Sequence, residues 1–122
     1  MPIPDYQTLM LPVLRLVADG KEHRVRDVVE ELSDIFQLTP KERDMMLPSG
    51  TARLFANRVG WARTYLKRAG AVESRKHGHF NITRRGKKLL AQHPLRIDNS
   101  ILHQFPEFVA FTRKKGPETS TG

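Results

Sequence analysis

At 122 residues the chain suits one compact domain with a single modest hydrophobic core, and without cysteine it excludes disulfide frameworks, thiolate metal sites and cysteine nucleophiles. No apolar run approaches the ~18–20 residues of a membrane span. The formal net charge of +8 is focused: residues 1–50 carry 6 basic and 9 acidic side chains, whereas residues 51–88 carry 11 basic ones against Glu73 alone. That focusing points to a polyanionic partner more strongly than the total does.

The N-terminus, MPIPDY, has neither the basic nor the apolar region of a signal peptide, so a cytoplasmic location is expected. Residues 5–19, DYQTLMLPVLRLVAD, repeat apolar side chains at helical spacing, with Pro12 expected to kink or split the helix and Gly20 to end it. A very short strand is expected over residues 21–24. Residues 25–38 predict a second amphipathic helix whose apolar face holds Val25, Val28, Val29, Leu32, Ile35 and Phe36. Thr39-Pro40 starts a short third helix over residues 40–47, and Pro48, Ser49 and Gly50 break the chain again.

The fourth helix, TARLFANRVGWARTYLKRAG, organises the rest. At about 100° per residue, Phe55, Val59, Ala62, Leu66 and Ala69 form one apolar stripe. Opposite lie Arg53, Ala56, Asn57, Gly60, Arg63, Thr64, Lys67 and Arg68, a face without one acid. A solvated face usually mixes charge signs to gain pairs along the helix, and this one does not. Arginine, asparagine and threonine suit base edges and phosphates. Gly60 costs a helix interior about 1 kcal/mol, which suggests that something approaches the backbone there. Arg58 falls in the apolar arc and is expected to be a buried structural arginine paired with an acid of the second helix. Trp61 is expected to be a lid on the core.

Gly70 is a helix stop. Residues 71–75 and 79–83 bracket Lys76-His77-Gly78 as a β-hairpin, with Arg75, Lys76, His77 and His79 near its tip. Thr83 caps a following helix whose first turns hold Arg84, Arg85, Lys87 and Lys88, an arrangement that opposes the helix dipole unless phosphates offset it. The expected fold is therefore mainly α with a small β-hairpin: a winged helix-turn-helix with an extra helix before the recognition helix. Expected domains are a DNA-binding domain over residues 1–93, a helical extension over 94–115 and a disordered tail over 116–122. Phe105, Phe108 and Phe111 of the extension are expected to dock back on the domain, a homodimer seam being the alternative.

NRVGWARTYLKRAG and the later HGHFNITRRG, with DGKEHRVRDVVEEL, LTPKERDMMLPSG and ILHQFPEF, resemble the N-terminal domain of the Mrr family of restriction endonucleases. The resemblance spans roughly residues 4–111. Proteins similar to this cut foreign DNA, often methylated, with a PD-(D/E)xK nuclease domain that follows the winged helix. Neither E-x-K nor Q-x-K occurs in the chain, so the resemblance implies double-stranded DNA recognition here and cleavage by sequence outside it.

On this reading Arg53, Asn57, Gly60, Arg63, Thr64 and Lys67 face the groove, and Arg68, Arg75, Lys76, His77, His79, Arg84, Arg85 and Lys87 hold the backbone. No catalytic residue, metal ligand or cofactor is assigned. His23, His77, His79, His93 and His103 have no triad partners, and His77-x-His79 lacks a third metal ligand. Two other readings use the same module. One is a stand-alone transcriptional regulator; the other is a winged helix that binds an acidic protein.

Overall fold

A computed structural model of the protein describes residues 3–115. The elements, in chain order, are α1 (Tyr6–Leu16), β1 (His23–Arg24), α2 (Val25–Ile35), α3 (Pro40–Asp44) and α4 (Leu54–Arg68), then β2 (Val72–Glu73), β3 (His79–Ile82), α5 (Arg84–Ala91), α6 (Asn99–Leu102) and α7 (Pro106–Lys115). The three strands form one antiparallel sheet in the order β1-β3-β2, with Arg24 opposite His79 and Val72 opposite Ile82. This order of helices and strands is that of a winged helix. The expected tail over residues 116–122 lies outside the described residues. None of the described helices is long and apolar enough to cross a membrane.

Local signals account for most element ends. Asp5 caps α1 by accepting from the Thr8 amide at 2.8 Å, and those hydrogen bonds hold its carboxyl below the usual range. Thr39 and Glu42 form a reciprocal capping box on α3. Gly70, at φ +80°, closes α4 with Ala71 N donating to Leu66 O and Gly70 N to Lys67 O. The same pair of bonds ends α2 three residues before its expected end. Gln37 takes the left-handed conformation at φ 54°, and Leu38 N donates to Ser33 O. Leu38 then enters the core.

Several expectations need correction. α1 runs through Pro12 as one helix, because Leu9, Met10 and Leu11 before it and Val13 and Leu14 after it are all buried. Burial on that scale outweighs the roughly 3 kcal/mol a proline costs inside a helix. α3 stops at Asp44, and residues 45–54 form a tight antiparallel loop instead, with Leu47 N donating to Ala52 O and Leu54 N to Met45 O. Ile35 is 63% exposed, since α2 closes before a further turn can cover it, and Ser33 is buried instead. Arg58 finds no acid on α2. Its guanidinium donates to the carbonyls of Ile3 at 2.8 Å and Pro4 at 3.3 Å, fastening the chain before α1 to α4.

α1 and α4 pack along their length, and α2, the sheet and α5 complete one core with Leu9, Leu32, Val59, Leu66 and Phe80 inside it. The extension shares that core. Ile97, Leu102 and Phe108 are buried, and the Phe108 and Phe111 rings meet Tyr65 of α4 at 5.7 and 5.6 Å. Docking rather than display of the aromatic segment is what the structure shows.

Candidate nucleic-acid interface

α4 turns Phe55, Val59, Ala62 and Leu66 into the core, which leaves the face predicted from the wheel on the outside. Arg53 is the N-cap residue, and its guanidinium lies 3.5 Å from the Asp44 carboxylate, with both side chains largely exposed. Asn57, Gly60, Arg63 and Thr64 are half-buried, and Lys67 is exposed. A methyl group added to Gly60 would meet no atom within 4 Å, so no other helix among the described residues explains this glycine. Arg63 buries its Nε with no hydrogen-bond partner among the described residues.

The wing stands beside the head of α2, where Val25 N donates to Gly78 O at 2.9 Å across the hairpin turn. Gly78 turns at φ +77°, and the Ser74 hydroxyl donates to His79 O at 2.7 Å. Lys76 and His77 are exposed at the tip, while the His79 ring lies 3.0 Å from the His77 carbonyl. Arg75 is paired with Glu73 at 2.8 Å. Donation from Asn81, and next from Arg75, holds the Glu73 carboxyl below the usual range. The one acid of the cationic stretch is thereby bound within the wing.

Two residues assigned to backbone contact are engaged inside the fold. Arg68 stacks its guanidinium over the Phe111 ring at 4.9 Å. Arg85 donates to Ala69 O at 2.8 Å, pairs with Glu107 at 3.0 Å and lies over the Phe105 ring at 4.5 Å. It joins the end of α4 to α7. Its neighbour Arg84 is exposed at the head of α5 with no ion pair among the described residues. Lys87 reaches toward the Gly20 turn, where a side chain on that glycine would stand 3.6 Å from its Nζ. Trp61 is a surface residue, 36% exposed, with its ring edge-on to Tyr65 at 6.1 Å.

A family model described as the Mrr N-terminal domain matches residues 6–92, from the first residue of α1 to just past the end of α5. The chain belongs to the Mrr N-terminal domain family. It is 37% identical over 95 residues to the type IV methyl-directed restriction enzyme EcoKMrr of Escherichia coli K12, a match covering 77% of this chain and 31% of that enzyme. The chain therefore spans about a third of that relative's length. No solved structure matches at a significant level.

Within this Mrr N-terminal domain, Arg26 is a further basic residue beside the face of α4. It is exposed on the first turn of α2 and lines a groove with Arg53 and Ala56 of α4. Its place in a half of the chain where acids outnumber bases, nine to six, hid it. The signal available was its position two residues inside a helix that leads toward the recognition helix, where helix-turn-helix proteins meet the DNA backbone.

Proposed function

We propose that this Mrr N-terminal domain binds double-stranded DNA, methylated targets included, for a restriction enzyme whose nuclease lies in sequence outside this chain. The observation that carries the reading is the outward face of α4. It presents Arg53, Asn57, Arg63, Thr64 and Lys67 with no acid among them, and Lys76 and His77 of the wing and Arg84 of α5 add exposed basic side chains. α4 would enter the major groove while the wing and the head of α5 follow the backbone. The relative's designation as a methyl-directed restriction enzyme supports DNA as the ligand and modification as part of the target.

Arg85 leaves the proposed contact set because its donors are used inside the fold, and Arg68 because its guanidinium lies over the Phe111 ring. If about five of the remaining cations neutralise phosphates, log K should fall against log salt with a slope near −4.5. Fluorescence anisotropy of labelled duplexes at two salt concentrations measures it. Failure to bind any duplex at low salt, together with tight capture of an acidic protein, would replace this reading with the protein-interaction winged helix.

A further inference from the structure

On the flank of α4 away from α2, a cavity of about 580 Å³ opens between α4, the start of α1 and the loop that precedes α4. Its walls are aromatic and aliphatic, made by Tyr6, Leu47, Leu54, Trp61 and Tyr65. Three polar residues complete the lining, and two of them are engaged elsewhere. Asp5 accepts from the Thr8 amide, and Arg58 donates to the carbonyls of Ile3 and Pro4. The third, Asn57, is half-buried, and its carboxamide makes no hydrogen bond among the described residues. Asn57 also belongs to the acid-free face of α4, so it stands where that face meets the aromatic wall. Trp61, one turn further along α4, is 36% exposed and edge-on to Tyr65 at 6.1 Å, and Tyr65 is edge-on to Tyr6 at 5.0 Å.

These features suit a flat ring with a polar edge. Aromatic side chains stack on the face of any nucleobase, because every base has a π-face. A carboxamide offers both a donor and an acceptor to the edge of that ring. The cations on the same face of α4 would hold the phosphates on either side of it. A base inside the double helix is stacked on both faces and paired along its edge, so only a base outside the stack can enter such a cavity. We propose that this cavity takes one unpaired nucleobase held outside the duplex stack, its ring against Trp61 and its edge on the Asn57 carboxamide. The contacts discriminate an unstacked base from a paired one whatever the base. The inference rests on the DNA-binding reading above.

The test uses the whole chain and three labelled duplexes of one sequence: fully paired, with one extra unpaired adenine, and with an abasic nucleotide in place of that adenine. The abasic duplex has the same interrupted backbone without the ring. The adenine-bearing duplex should bind roughly tenfold tighter than either of the others, within the range that base–aromatic stacking contributes. Trp61 is the only tryptophan of the chain, so its fluorescence reads the contact on the wild type: the adenine-bearing duplex should quench it more than the abasic one. Trp61→Ala should bring the three duplexes to similar affinity while leaving salt-dependent binding of the paired one. Melting curves verify that the variant is folded. Equal binding of the paired and adenine-bearing duplexes overturns the inference and leaves DNA binding standing. An abasic duplex that binds and quenches as well as the adenine-bearing one assigns the preference to backbone flexibility and overturns it too, as does an adenine preference that survives Trp61→Ala. Absence of binding to every duplex overturns the inference together with the DNA-binding reading.

Discussion

Replacing Gly60 with alanine sets two effects of opposite sign against each other. Gly60 lies in the middle of the 15-residue α4, and a methyl group there would meet no atom within 4 Å. The free protein should therefore gain the helix propensity difference between alanine and glycine, roughly 0.8–1 kcal/mol. For a domain of this size that corresponds to about 4 °C in melting temperature. In the complex the same methyl group projects about 1.5 Å beyond the Cα toward the groove. Displacing the helix enough to lose one charge-assisted hydrogen bond would weaken binding roughly tenfold or more. Circular dichroism melting and duplex anisotropy on the same preparation measure both. A higher melting temperature with unchanged affinity would refute close approach of DNA at Gly60, and a lower one would refute the open surroundings on which the magnitude rests.

Further predictions follow from the packing around α5. Gly86→Ala should act in the opposite direction, because its new Cβ would overlap the Ala71 carbonyl and stand 2.7 Å from Ile82 Cγ1. Overpacking of this kind costs about 1–3 kcal/mol, so melting should fall by several degrees. The adjacent arginines should separate cleanly. Arg84→Ala should leave melting unchanged and reduce the salt slope by about 0.9, whereas Arg85→Ala should cost roughly 1–2 kcal/mol of stability by releasing Ala69 O, Glu107 and Phe105. Glu107 accepts from Arg85, which lowers its carboxyl pKa from the ordinary 4.5. A depressed folded pKa contributes stability that is present above the ordinary value and lost as pH falls through the folded one. Melting of the wild type should therefore decline more steeply below about pH 4.5 than melting of Glu107→Gln; parallel declines would show that the Arg85 pair contributes nothing.

Features that rest on neighbours a few positions apart are legible in the chain's local order. The apolar stripe of α4, the caps at Asp5, Thr39 and Thr83, the stop at Gly70 and the turn at Gly78 all depend on residues within one or two helical turns or one hairpin. The charge asymmetry between the halves, and with it the face of α4 free of acids, is likewise written in local order. Tertiary structure decided the partners of side chains that reach across the fold. A wheel gives the direction of Arg58 but not the Ile3 carbonyl 55 residues earlier that receives it. It marks Arg68 and Arg85 as cations but not their distant rings, Phe111 and Phe105. Gly86 lies within a basic run in the sequence, and only the crossing of α5 over the Ala71 carbonyl makes glycine necessary there. Pro12 was tolerated because burial on both sides of it exceeds the cost of one missing backbone hydrogen bond. The groove between α2 and α4 belongs to neither helix alone: Glu30 and Ala56, 26 positions apart, line it together only after the core has closed.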